Sequence, residues 1–243
     1  MSVAGGPDLI QNGLVLCLDA ANTKSYPGSG TVWTDLSGNR YDGTLTNGPT
    51  FSSANGGSIV FDGTNDFVRT TNVDLTNTNK ITLQFWCKLI SYPSTVRVLM
   101  ELCNAGSRYQ LTTVGFILTY ADDFFSGSPI SANLNGNVGV NSSNFSSTLV
   151  NNLAWHNWCV IYDKSQTNPE TSLYIDGIQS TSIGNLYTAN NTNNFGSIPL
   201  HIGGRSGTLS AQVNIANVLL YNKRLTIDEI LQNYDSTKSR FGL

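Results

Sequence analysis

The chain has 243 residues, 40% hydrophobic and 10% aromatic, while charged residues make up only 12%, against about 25% in an ordinary soluble domain. A net charge of −3 without a Lys/Arg cluster leaves no footprint for a nucleic-acid backbone or an anionic lipid surface, and no apolar run approaches the ~20 residues that cross a bilayer. Asn, Thr, Ser and Gly must cover the surface, which suits short strands joined by many turns and excludes a helical bundle.

The start, MSVAGGPDLIQNG, lacks both the basic flank and the apolar segment of a secretory signal, so export by the general pathway is not expected. GLVLCLD (13–19) is a short apolar run and reads as a strand buried on both faces. YPGSGTVWTDLSGNRYDGTL, dense in Gly, Pro and Asp, reads as loop with a tight turn at Ser37-Gly38-Asn39. GSIVFDGTNDFVRTT gives two strand fragments around Asp62-Gly63-Thr64-Asn65, a hairpin signal.

KITLQFWCKL (80–89) alternates Ile81, Leu83, Phe85 and Cys87 against Thr82, Gln84, Trp86 and Lys88, as a strand requires. Further strands are predicted at 96–102, 109–113, 116–120, 157–163, 172–175, 200–202 and 215–221, with Asp176-Gly177 as a two-residue hairpin turn. Segments 125–149 and 183–195 read as Asn/Ser/Gly-rich surface. At the end, Thr226 with Glu229 forms a capping box, and Leu225 with Ile230 a hydrophobic staple. Asp228 and Glu229 then belong to the first turn of a helix, where its dipole favours acids.

No internal repeat appears, and a dozen or so short strands favour two stacked antiparallel sheets. The expectation is one domain over 1–243, with 1–12 an N-terminal extension and 235–243 a C-terminal tail. Cys17, Cys87, Cys103 and Cys159 are scattered, with no C-x-x-C and no histidine at metal spacing, and read as four buried thiols.

Four segments together resemble the laminin G/pentraxin-like branch of the concanavalin A-type lectin and glucanase superfamily, over residues 9–234. They are SIVFDGTNDFV (58–68), ITLQFWCKL (81–89), LAWHNWCVIYD…SLYIDG (153–177) and IANVLLYNKRLTIDEILQNY (215–234). The resemblance implies an all-β, concanavalin A-like jelly-roll β-sandwich of two antiparallel sheets with a short C-terminal helix. The opening GLVLCLDAANTKSY…VWTDLSGNRYDGTL and the ending LQNYDSTKSRFGL resemble a narrower set, the LamG-like virion and tail-associated proteins of tailed bacteriophages.

That narrower resemblance implies a non-enzymatic virion structural protein, a capsid decoration or tail-associated, made in the host cytoplasm. Its implied partners are other virion proteins, host-surface carbohydrate and further copies of itself, with no nucleic acid and no membrane insertion. Three alternatives stay open: a glycan-active hydrolase of the same superfamily, a calcium-dependent bacterial lectin or adhesin, and a purely structural cement protein without a ligand.

Glycoside hydrolysis needs paired carboxylates ~5–9 Å apart, and the glucanases of this superfamily carry them as Glu-x-Asp-x-x-Glu. The only glutamates here are Glu101, Glu170 and Glu229, and none has an Asp two residues on. The only histidines, His156 and His201, flank no Gly-x-Ser-x-Gly elbow, and His156 reads as structural. No catalytic residue is expected.

Calcium requires about six to eight oxygen ligands. The pentraxin pattern places acids after the strand that is LHIGG here, yet RSGTLSAQ follows, and Asn217 stands where many relatives carry Asp. No metal and no cofactor are expected, with a residual site near Asp62, Asn65 and Asp66 opposed by ordinary turn chemistry. In YADDFFSG, Tyr120, Asp122, Asp123 and Phe124 are the carbohydrate-binding candidates: rings stack on sugar faces, and carboxylates accept hydroxyl hydrogen bonds. A subunit contact by the same aromatics is the competing reading.

Overall fold

A computed structural model describes residues 7–91, 95–103, 116–120, 130–136, 139–145, 152–166, 170–180, 182–185 and 192–243. The first strands are β1 (Leu14–Asp19), β2 (Val32–Trp33), β3 (Gly43–Thr46), β4 (Thr50–Ser52), β5 (Ser58–Asp62) and β6 (Phe67–Asp74). Next come β7 (Lys80–Leu89), β8 (Arg97–Leu102), β9 (Phe116–Tyr120), β10 (Ile130–Gly136) and β11 (Gly139–Phe145). The last are β12 (Trp155–Asp163), β13 (Thr171–Ile175), β14 (Ile178–Gln179), β15 (Ser182–Asn185), β16 (Ser197–Ile202) and β17 (Gln212–Tyr221). Helix α1 (Ile227–Asp235) and a 3-10 turn at Lys238–Phe241 follow.

Among the described residues, the strands form two antiparallel sheets. One has eight strands in the order β14-β13-β12-β7-β17-β5-β4, with β1 beside β17; the other has nine, in the order β15-β11-β10-β9-β8-β16-β6-β3-β2. Their inner faces close on one core that includes Leu83, Phe85, Trp158, Val160, Val213 and Leu220 from the first sheet and Val68, Met100, Leu118, Leu200 and Ile202 from the second. The expected sandwich with its short C-terminal helix is present.

The outer face of the eight-stranded sheet carries a second apolar cluster where α1 lies on it. Cys17, Cys159, Ile161, Tyr174, Leu219 and Tyr221 pack there with Leu225 and Ile230, the two residues of the staple. The capping box is formed: Thr226 Oγ1 accepts from Glu229 N at 3.3 Å, and Glu229 Oε2 accepts from Thr226 N at 2.9 Å. Asp228 and Glu229 lie in that first turn. Gln84, polar yet fully buried, donates to Asn157 Oδ1 at 2.8 Å and to Ile230 O at 3.1 Å, tying helix to sheet.

The closing residues extend this cover. Phe241 stacks on Trp86 with ring centroids 4.1 Å apart, and Trp86 Nε1 donates to Thr237 Oγ1 at 2.7 Å. Arg240 pairs with Asp19 of the opening strand at 3.0 Å. All four cysteines are buried thiols, and burial raises the Cys17 thiol to about 12.

Three local readings change. Asp62-Gly63-Thr64-Asn65 is no hairpin: β5 and β6 belong to different sheets, and the turn carries the chain around the edge of the sandwich. Turn chemistry specifies a reversal but not which strand each arm will pair with, and that is decided by distant partners. The expected loop after β1 contains β2 and β3, held by Asp35, whose Oδ1 accepts from Cys17 N and Ser37 N, both at 2.9 Å. The segment 125–149 contains the paired strands β10 and β11, and β15 enters the segment that begins at 183. The strand expected at 109–113 lies outside the described residues. The Asp176-Gly177 hairpin is present, with φ of 53° and 77°.

Candidate functional site

Across the outer face of the nine-stranded sheet runs a register row of Thr44, Arg69, His201 and Glu101, from β3 through β6 and β16 to β8. Alternation puts them there: Leu200 and Ile202 enter the core on either side of His201, as Met100 and Leu102 do beside Glu101. After β16 the chain turns at Gly203, whose φ is 76° and where a Cβ would strike the Phe61 ring. Arg205 and Thr208 then close a small loop by exchanging backbone hydrogen bonds of 2.8 and 2.7 Å.

That turn aims Arg205 back at Glu101. Its Nε donates to Oε2 at 2.6 Å and its Nη2 to Oε1 at 2.7 Å, a bidentate pair between two buried side chains. His201 lies beside it, 0% exposed and stacked at 6.2 Å on Phe67. Among the described residues, neither ring nitrogen of His201 has a hydrogen-bond partner. Burial, then the charges of Arg69 and Arg205, lower its imidazole from 6.5 to about 4, so it is neutral at pH 7.

Tyr120, the first of the carbohydrate candidates, ends β9 of this same sheet, opposite Ile130 and Arg97. Asp122, Asp123 and Phe124 lie outside the described residues.

The carboxylates weighed for chemistry are held in structural positions. Glu101 is in its bidentate pair, Glu229 caps α1 and meets Lys223 Nζ at 2.6 Å, and Glu170 is buried beside β13. At the turn between the sheets, Asp66 is buried and its Oδ2 accepts from Asp62 N at 3.1 Å, while Asp62 Oδ1 accepts from Thr64 N at 2.7 Å. Burial raises the Asp66 carboxyl, which disfavours the charge a cation would need. Among the described residues, no three His, Cys, Asp or Glu side chains converge as a metal site.

His156 Nδ1 lies 2.6 Å from Asp176 Oδ2 and Nε2 lies 2.8 Å from Asn152 Oδ1. The other oxygen of Asp176 accepts from Asn157 N at 2.8 Å, so the trio fixes the β13–β14 turn, as a structural histidine should. Asn217 Oδ1 accepts from Trp86 N at 3.0 Å, where β17 bulges between Ile215 and Asn217. Its amide therefore completes a ladder that the bulge interrupts.

Sequence reasoning missed the grouping of His201, Glu101 and Arg205. The available signal was a lone acid inside the apolar strand RVLMEL and a lone histidine inside SIPLHI, each at a position whose neighbours enter the core. The arginine could not be placed beside them, because only the fold of the Gly203–Gly204 turn brings it back.

Comparison with known proteins places this geometry. No curated protein sequence matches the chain. Its fold is similar to the receptor-binding domain of the botulinum neurotoxin C/D mosaic serotype, with a TM-score of 0.66 and 14% identity over 93% of this chain and 51% of that one. The botulinum neurotoxin type G receptor-binding domain gives 0.59 and 15% over 92% and 51%. Trypanosoma rangeli sialidase, in complex with the inhibitor DANA, gives 0.60 and 15% over 98% and 36%. The chain thus spans about half the length of the toxin domains and about a third of the sialidase, and the likeness is one of fold. The profile of the concanavalin A-like lectin/glucanases superfamily matches residues 62–231, most of both sheets. The chain belongs to the concanavalin A-like lectin/glucanase superfamily.

Proposed function

We propose that the protein is a non-enzymatic, lectin-like display domain of a bacteriophage virion, which binds host-surface carbohydrate. The observation that carries the non-enzymatic part is the fate of the glutamates: Glu101 is locked to Arg205 and Glu229 to the helix cap. Neither is available as one of a facing pair across a glycosidic bond. His201, with its proton affinity depressed and its ring buried, is a poor general base near neutral pH.

Carbohydrate binding is supported by family membership and by the fold shared with receptor-binding domains. The sugar-binding residues of this reading are Tyr120, Asp122, Asp123 and Phe124, with the aromatics as stacking platforms. The virion part rests on the paired opening and ending motifs, which the fold joins through Asp19 and Arg240.

The test is an array of bacterial surface polysaccharides, probed with and without a chelator. Binding that survives the chelator and falls at least tenfold in Tyr120→Ala supports the reading, and a blank array in both conditions removes it. Release of reducing sugar, abolished by changing a single acid, overturns the non-enzymatic part. Mass spectrometry of purified particles tests location: hundreds of copies mean capsid decoration, a few mean a tail fibre, and absence removes the virion assignment.

A further inference from the structure

After β16 the chain leaves the nine-stranded sheet at Gly203 and enters β17 of the other sheet at Gln212. Between them, residues 204–210 fold back on β8 as a small flap. Its neck is closed by Ala211 N, which donates to Gly203 O at 2.8 Å. Inside it Arg205 and Thr208 bond to each other, while Ser206 and Leu209 hold φ of 43° and 51°, a left-handed conformation that strains a residue with a Cβ.

The flap is held to β8 by the bidentate Arg205–Glu101 pair and by an apolar contact in which Leu209 packs on Val98 and Cys103. Val98 N also donates to Leu209 O at 2.8 Å. Beside the pair lies His201, register partner of Glu101 on one side and of Arg69 on the other. Among the described residues, the charged groups around its ring are therefore Glu101 on β8, Arg69 on β6 and Arg205 on the flap, while β3 adds only Thr44. Asp66, just before β6, is buried and accepts from Asp62 N; burial raises its carboxyl, so in acid it offers no compensating charge.

At neutral pH, Arg69 and Arg205 flank one carboxylate and one uncharged ring. In acid the ring becomes a third cation, and neither of its N–H groups has an acceptor in the closed form. Arg69 is already exposed, and His201 is fixed on its strand between Leu200 and Ile202, which are anchored in the core. Arg205 is the cation carried by a segment that can move. We propose that residues 204–210 form an acid-released flap: when His201 takes up a proton, Glu101 passes from Arg205 to the imidazolium beside it, and the flap lifts on its glycine neck, uncovering Val98 and Cys103. The exchange gives up the flap's contacts with β8, so acid still weakens the fold. The device does not depend on what the domain binds.

Proton linkage sets the size of the effect. A ring lowered to about 4 under the flap and returned to 6.5 on release raises the open fraction roughly twentyfold between pH 7 and pH 5. Cys103, buried under Leu209, reports the opening. Native protein is treated with dithiodipyridine, which reacts with thiols in acid as well as at neutral pH, and the labelled cysteine is identified by peptide mass. Relative to His201→Leu at the same pH, wild-type Cys103 should label roughly twentyfold faster at pH 5 than at pH 7. Cys17, Cys87 and Cys159, in the other two apolar clusters, should stay unlabelled. Hydrogen exchange of the wild type reads the same event without a substitution: the Val98 amide should lose protection in acid, while the Trp86 amide, bonded to Asn217 on the other sheet, keeps it.

A rise confined to Cys103 and the Val98 amide, and absent from His201→Leu, supports the flap. Equal Cys103 labelling in wild type and His201→Leu at every pH, with the Val98 amide protected throughout, overturns it. Labelling of all four thiols together, with loss of the Trp86 amide, overturns it as well, because acid then opens the whole sandwich and not the flap.

Discussion

Glu101 and Arg205 have both been taken out of water, and each holds the other through two short hydrogen bonds. A pair of this kind is weak as a source of net stability, because the attraction mostly repays desolvation. Removing one partner is different, since the survivor keeps the cost and loses the repayment. Arg205→Met should therefore destabilise the fold by about 3–5 kcal/mol, read from urea unfolding at pH 7. The double substitution Glu101→Leu with Arg205→Met should recover most of that loss. If the single and double variants are equally unstable, the pair contributes through packing and not through charge. A smaller effect is expected at Asn217, where Asn217→Leu leaves the Trp86 N–H without its acceptor and should cost about 1–3 kcal/mol.

At the level of elements, legibility followed how local each cause was. KITLQFWCKL and FILTY were readable residue for residue, the first by its alternation, which marks the core face although Thr82, Gln84 and Trp86 on the other face are buried as well, and the second as a short apolar run. The start of α1 was readable too, since its cap and staple lie within six residues of one another. The turn at Asp62–Asp66 was misread because pairing partners are not local. In ISANLNG and GVNSSNF, strands β10 and β11 keep few apolar anchors, with Ile130 and Ala132 buried in β10, so their alternation was too faint to see.

The candidate site was less legible than the fold. Its carbohydrate residues were chosen from one continuous stretch, whereas Glu101, His201 and Arg205 are brought together from two strands and a turn far apart in sequence. The ending SRFGL matched a pattern without a visible cause, and the cause is tertiary: Phe241 closes over Trp86, and Arg240 reaches Asp19. Phe241→Ala should thus destabilise the protein by roughly 2 kcal/mol, and expose Trp86, seen as a red shift of tryptophan emission in the folded state. Thr226→Ala should cost only about 1 kcal/mol and leave that emission unchanged, since it loosens the start of α1 and not its far end.

For the whole molecule, the sharpest expectation concerns acid. The neutral form of His201 is the one the fold accepts, and its imidazole is lowered from 6.5 to about 4. Between those values the unfolded chain binds a proton that the folded chain refuses, so stability must fall as pH drops from about 6.5 to about 4 and then level off. A difference of that size corresponds to on the order of 3 kcal/mol over the window. One other group acts in this range with the opposite sign: burial raises the Asp66 carboxyl above 3.8, so the folded chain takes up that proton before the unfolded chain does and gains stability as the pH falls through it. The rest act elsewhere. Lys164, lowered by burial from 10.5 to about 8, has its full effect in place below pH 8. Glu229, lowered from 4.5 with Lys223 and Thr226 as the stabilising partners, contributes stability that is lost only below its usual range. The buried thiols and tyrosines titrate on the alkaline side. Urea unfolding of wild type from pH 7 to pH 4.5 should show a loss that His201→Leu abolishes, with the variant at least as stable as wild type at pH 5. Parallel curves for the two proteins would mean that the ring finds a partner on protonation, and that Arg69 and Arg205 do not govern it.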